Sequence, residues 1–311
     1  MDTALRVVMY HYVRDLPHTP FPRIKGMLTS DFVRQVRDLK ERYEMATLES
    51  AMAFLHGRYQ PSRDLCLLTF DDGLKEHWSE CTPVLADHGV QGLFFLITEC
   101  VENQRVAPVH MNHFLMARLD FSEYQDGFVR RLREMDSEAA AGIDRVDAAD
   151  AARRYRWDTP QVAAFKSFFN FQLDADLRDR VVRRMFEEYF GDEAAFSRDL
   201  YASWEQARQM HAAGMVLGGH SHQHKPLSGV SETELAEDLS SCRRLLDGNL
   251  TPQPMWPFCY PYGKKDSYTD QAVKLLRDLS FECAFSTESG DNQPGVPLFS
   301  IRRVDCKLAL E

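Results

Sequence analysis

The chain has 311 residues, a formal net charge of −10 and a sequence pI near 5.6, which argues against the basic footprint of a nucleic-acid binder. No apolar run reaches the roughly 18 residues needed to span a bilayer. Seven scattered cysteines, odd in number and without paired spacing, read as reduced thiols rather than a disulfide scaffold. The start, Met1-Asp2-Thr3-Ala4-Leu5-Arg6, shows no signal-peptide pattern, so the expected location is cytoplasmic.

In chain order, Val7 to Tyr10 reads as a first strand ending at His11-Tyr12, and the proline-rich stretch from Pro17 to Pro22 reads as a surface loop near a pocket mouth. Thr29-Ser30-Asp31 cap a helix with Phe32, Val36 and Leu39 on one face, and Thr47 opens a second helix that ends at Gly57. Leu65-Cys66-Leu67-Leu68 is a short unbroken apolar run, the pattern of a strand buried on both faces. Thr82-Pro83 opens another helix, with proline at its first position, and Val90 to Ile97 is the next strand. This alternation predicts a parallel sheet with helices outside.

Between about residues 100 and 200 the strand signals vanish and charged, helix-favouring residues take over, which predicts a helical insertion over the barrel. Phe165, Phe168, Phe169 and Phe171 are expected as helix core, His110 and His113 as ordinary core or surface residues, and the Ala/Asp-rich run at 138–152 as a flexible connector. The barrel pattern resumes at Ser203-Trp204-Glu205-Gln206, a capping box. A strand at Met215 to Leu217, a capped helix from Ser231, and final strands at Cys283 to Ser286 and Ser300 to Val304 follow. The expected division is 1–100 and 201–311 for two parts of a barrel and 101–200 for the insertion.

Two clusters carry chemistry. In Thr69-Phe70-Asp71-Asp72-Gly73, adjacent carboxylates close a buried strand, where repulsion and desolvation must be offset by a cation or a proton-transfer role. Neighbours on a strand face opposite ways, so a bend at Gly73 is expected to bring both into one pocket; a helix-capping turn is the alternative. In Gly218-Gly219-His220-Ser221-His222-Gln223-His224, His220 and His224 would share one face of a helical turn. Two imidazoles and one carboxylate make a divalent-metal site with open positions. His222 would point elsewhere, toward substrate at most.

Thr69–Gly73, His220-Ser221-x-x-His224 and Tyr260-Pro261-Tyr262-Gly263, in this order, resemble the three leading motifs of the polysaccharide deacetylases, the NodB-homology enzymes of carbohydrate esterase family 4. The resemblance covers about residues 5–100 and 200–305. It implies an α/β fold, a distorted (β/α) barrel of about seven strands, here with a helical insertion. It also implies one divalent metal on Asp72, His220 and His224, Asp71 as general base, and the main-chain N–H of Tyr262 at the oxyanion. Zinc is the default metal; iron, cobalt, nickel or manganese also suit such a donor set.

The chain departs from the family twice. The motif arginine that pairs with the base is replaced by Cys259; Arg302 or Arg303 is a substitute, against the simpler reading of both as solvated surface residues. No histidine follows His224 to act as acid, but a permuted branch of the family uses an early Tyr-His, which matches Tyr10-His11 and makes His11 the general acid. Tyr12, Tyr260, Tyr262 and Trp256 are candidate sugar contacts. The expected reaction is hydrolysis of an N-acetyl or N-formyl group on an amino sugar, nucleotide- or lipid-carrier-linked during surface-glycan assembly. A hydrolase of small cyclic amides or imides and an inactive glycan-binding module are the alternatives.

Overall fold

The computed structural model describes residues 3–154 and 158–311. Two compact units emerge. One comprises the N-terminal stretch up to Asp15 with Lys25–Arg105 and Ser197–Glu311; the other comprises Leu16–Ile24 and Val106–Phe196.

The first unit carries eight strands: β1 Leu5–Tyr10, β2 Glu44–Met45, β3 Leu65–Phe70, β4 Gly92–Leu96, β5 Val216–Gly219, β6 Pro257–Cys259, β7 Cys283–Phe285 and β8 Val304–Asp305. Every pairing is parallel. Seven follow the order β7-β6-β5-β4-β3-β1-β8, with the two-residue β2 set against the start of β3. A parallel bridge from Phe285 to Ile301 ties β7 to the segment leading into β8, which pairs with β1. The sheet therefore curls back on itself as a distorted (β/α) barrel.

Sequence parity decides what faces where. Leu5 and Val7 of β1, Leu65 and Leu67 of β3, Leu93 and Phe95 of β4, Cys259, Cys283, Phe285 and Ile301 form one buried cluster, closed by the helix Leu48–Leu55. The alternate residues, among them Val8, Tyr10, Leu68, Phe70, Phe94, Leu217 and Phe258, pack against the apolar stripes of the surrounding helices. The latter include Thr29–Arg42, Trp204–Ala212, Glu232–Asn249 and Asp270–Asp278. Both faces are thus covered, which is why β3 is buried at all six positions and shows no polar alternation.

The α-helix Thr82–His88 begins with Pro83 in its first turn, as expected, but it continues an earlier helical segment. Helical backbone already runs from Lys75, and His77–Cys81 forms a widened turn in which the Thr82 amide reaches back to the carbonyl of His77. Proline lacks the N–H of the normal ladder and clashes with the carbonyl four residues back, and the wider turn accommodates it.

The second unit is helical among its described residues, with Pro108–Arg118, Phe121–Met135 and Ala175–Phe190 as its long helices. Phe165, Phe168 and Phe169 are buried there, with Phe165 edge-on to Phe128 and Tyr124, whereas Phe171 is 62% exposed. The Ala/Asp-rich run is not a connector. It folds into the short helices Ser137–Ala140 and Ala148–Arg154 around a 3-10 turn at Ala141–Arg145. Asp136 and Asp147 accept the orphan amides at the two helix starts.

Candidate active site

The inward parity that fills the barrel also selects the site. Continuing 65, 67, 69 along β3 places Asp71 past the strand end, 216 and 218 lead to His220, 257 leads to Cys259, and 301 leads to Arg303. Parallel strands put all these ends on one rim. Asp71 is 1% exposed and Arg303 1%. They form a two-pronged pair, Nη1 to Oδ1 and Nη2 to Oδ2, both 2.7 Å. Arg303 further donates Nε to the Ser286 carbonyl at 2.8 Å and Nη1 to Thr69 Oγ1 at 3.2 Å, while Nη2 lies 3.0 Å from Cys259 Sγ. Burial alone drives the Asp71 carboxyl upward. The Arg303 charge and hydrogen bonds outweigh it, with help from His220 and His11, and hold it down at about 2.

Arg303 is therefore not a solvated surface residue. It brings, from the residue just before β8, a guanidinium to Asp71 while position 259 carries a cysteine whose small side chain packs beside it; Arg302 is exposed. The signal was in the sequence: two residues beyond the inward Ile301 lies an inward arginine.

Asp72 departs from strand geometry at once, with φ +82, followed by Gly73 at +66. The bend begins at the aspartate itself, one residue before the glycine. A Cβ on Gly73 would come within 2.9 Å of Leu96 Cδ2, so the turn is both left-handed and tight. Asp72 Oδ1 lies 3.4 Å from His220 Nε2 and 3.5 Å from His224 Nε2, and the ligand atoms of the three residues all fall within 4.8 Å of one another.

No helical turn presents the histidines. Residues 220–226 are a loop in which Ser221 (φ +61) and His224 (φ +59) are left-handed, and the two rings approach to 4.8 Å. The loop is held from within by the His224 amide donating to Ser221 Oγ at 2.8 Å. From outside, the amides of His222 and Gln223 donate to the two carboxylate oxygens of Asp238, at 2.9 and 2.8 Å.

His220 Nδ1 lies 2.8 Å from the Cys259 carbonyl. A carbonyl only accepts, so Nδ1 carries the hydrogen and the lone pair of the neutral ring sits on Nε2, toward Asp72. Burial opposes charge on His220, yet Cys259, Asp72 and Asp71 raise it well above the ordinary imidazole range; a proton and a cation compete for Nε2. A buried carboxylate, an imidazole of fixed tautomer and a second imidazole fit a divalent cation in donor type and spacing. The alternative set Asp71, His220 and Cys259 also falls within reach, but Asp71 is already engaged by Arg303 and burial raises the Cys259 thiol.

His11 follows β1, its side chain 44% exposed and its Nε2 3.7 Å from Asp71 Oδ2. Its main-chain carbonyl lies 2.9 Å from Nε2 of His77, a fully buried histidine that motif reading did not single out. Tyr262 is 43% exposed, left-handed at φ +62, with its ring 5.2 Å from His224. The other candidates sit deeper. Tyr12 is 5% exposed, with Arg14 4.8 Å over its ring. Tyr260 is fully buried, stacked on Tyr268 at 3.7 Å and donating to the Phe299 carbonyl. Trp256 packs in the outer core under Arg243 at 4.7 Å. His222 turns Nδ1 to Thr98 Oγ1 at 2.9 Å.

No curated protein sequence matches the chain. Among solved structures, Streptococcus pyogenes deacetylase PplD in complex with acetate superposes with a TM-score of 0.60 at 14% identity, covering 98% of this chain and 93% of the other. IcaB from Ammonifex degensii gives 0.58 at 20% identity, covering 97% and 91%. The BpsB deacetylase domain from Bordetella bronchiseptica gives 0.57 at 15% identity, covering 97% and 95%. At these identities the likeness establishes the fold. No helix among the described residues is long and apolar enough to cross a membrane. The polysaccharide deacetylase family model matches residues 58–140 and 180–284, more than half of the sequence, and the chain therefore belongs to the polysaccharide deacetylases, amide hydrolases that act on glycans.

Proposed function

We propose that this protein is a metal-dependent hydrolase that removes an N-acyl group, acetyl or formyl, from an amino sugar formed during surface-glycan assembly. The observation that carries the reading is the convergence of Asp72, His220 and His224 within 4.8 Å, beside an Asp71 carboxylate clamped by Arg303. Seven free cysteines, six of them buried, suit a reducing compartment and so a substrate met inside the cell, where acyl sugars are carried on nucleotides or lipids.

A base held near 2 is always ionised but weak. Free water gives up its proton far less readily than such a base can take it, so Asp71 alone is not enough. A divalent ion on Asp72, His220 and His224, with zinc the default, would bring water toward a pKa of about 7 and polarise the acyl carbonyl. Asp71 then accepts the proton of the attacking water, and Arg303 keeps it acceptor-only. The Tyr262 main-chain N–H donates to the oxygen that gains charge. His11, in its protonated form, delivers a proton to the departing amine nitrogen. The one departure that favoured an inactive glycan-binding module, the missing motif arginine, is made good by Arg303, which supports the catalytic reading.

The test is a screen of N-acylated sugars and their nucleotide conjugates, with free-amine release as readout, alongside metal analysis of the purified protein. Turnover abolished by chelation and restored by zinc, cobalt or nickel is the expected result. A protein that binds no divalent metal and releases no amine would overturn the proposal.

A further inference from the structure

One buried titratable group near the site has no part in the reaction described above. His77 is fully buried within the widened turn His77–Cys81, its ring 5.5 Å from that of Phe70 and 5.6 Å from that of Phe94. Its Nε2 lies 2.9 Å from the main-chain carbonyl of His11, so Nε2 carries the hydrogen and donates. Its Nδ1 has no hydrogen-bond partner. Leaving a buried acceptor unmade costs about 1–3 kcal/mol, a penalty that phenylalanine or leucine in this aromatic slot would avoid. Histidine here needs a compensating role, and the one hydrogen bond its ring makes leads to His11.

That bond falls where the sheet stops supporting the chain. The Tyr10 carbonyl receives the Asp71 amide at 2.9 Å, the last rung between the β1 and β3 segments, and the Tyr12 carbonyl receives the Met27 amide at 2.9 Å. Between these two backbone ties, the His11 carbonyl is held by the His77 ring. The His11 side chain meanwhile stands half in solvent at 3.7 Å from Asp71, with freedom to swing if its backbone rotates.

We propose that His77 is a positioning residue for the general acid: its Nε2–H fixes the His11 peptide plane so that the His11 imidazole stays aimed at the departing nitrogen. The proposal rests on the assignment of His11 as acid. A displacement of about 1 Å in a catalytic group costs up to a hundredfold in rate, and one peptide rotation moves an imidazole that far.

Leaving-group dependence tests it. An amide nitrogen departs only when protonated, whereas the phenolate of an activated aryl acetate departs without an acid. His77→Phe should lose about tenfold or more in kcat on the N-acetyl sugar, with KM and metal content kept and the melting temperature not lowered, and under twofold on the aryl ester. His77→Gln, whose amide N–H can reach the same carbonyl, should restore most of the loss. If His77→Phe does not fold, His77→Met, similar in volume and lacking a donor, is read the same way. His11→Gln is the control: it must show the same ester-sparing pattern, and losing both substrates equally would refute the acid assignment itself. If His11→Gln spares the ester while the His77 variants lose both activities equally or neither, the inference about His77 fails and the acid assignment stands.

Discussion

Replacing Arg303 with methionine removes the guanidinium while keeping an unbranched apolar stem in the same slot. The structure sets the scale of the damage. Arg303 and Asp71 are each 1% exposed, and the pair is joined by two bonds of 2.7 Å, so solvent screening offers little relief. Removing one partner of such a pair strands a buried charge and costs about 3–5 kcal/mol. The carbonyl of Ser286 and the hydroxyl of Thr69 lose a donor in addition. For a unit of this size each kcal/mol lowers the melting temperature by about 2–4 °C, so Arg303→Met should melt roughly 6–20 °C below wild type. Asp71→Asn in the same chain removes the stranded charge, and the double variant should regain most of the loss. Urea denaturation at pH 7 of wild type, the two single variants and the double closes the cycle. If Arg303→Met unfolds within about 1 kcal/mol of wild type, or if the double variant loses the full sum of the singles, the pair is not the clamp described.

Asp238→Ala removes both acceptors that hold the loop between the two histidines of the candidate metal site and should weaken zinc affinity by about 10–100-fold, measured by competition with a chromophoric chelator; unchanged affinity would show that the loop holds itself. His77 carries a pH signature as well. Burial, only partly offset by its bond to His11, lowers its pKa to about 4, against about 6.5 in the unfolded chain. The unfolded state therefore binds the extra proton between these values, so the stability contributed by neutral His77 is whole above pH 6.5 and lost as pH falls to 4, by up to about 3 kcal/mol. The slope of unfolding free energy with pH across that window should flatten in His77→Phe, and an unchanged slope would mean that His77 does not stay neutral in the fold.

What could be read beforehand followed from periodicity and from motif order. The unbroken apolar run at Leu65 to Leu68 announced a strand covered on both faces, and strand parity, once anchored at Ile301, would have turned Arg303 inward. The simpler expectation for Arg303 is nonetheless a surface position, because a single arginine carries no local mark of a partner 232 residues away. The helical turn expected at His220 to His224 failed for a different reason. Four-residue spacing is also met by a loop with left-handed residues at Ser221 and His224, and although histidine visits that conformation more often than most residues, serine carries no such mark in the sequence. Trp256 and Tyr260 illustrate a third limit. Aromatic residues beside a site motif suit sugar stacking and core packing alike, and only strand register settles the matter: Tyr260 continues the outward parity of Phe258 and lies in the outer core.

The long sequence separation between Asp71 and Arg303 also orders events in time. A ribosome adding about 5–20 residues per second places the aspartate in the growing polypeptide roughly ten to fifty seconds before its arginine. Throughout that interval Asp71 lacks the guanidinium that later holds both of its oxygens. The clamp on Asp71 therefore closes late, after Asp72, His220 and His224 have already been made.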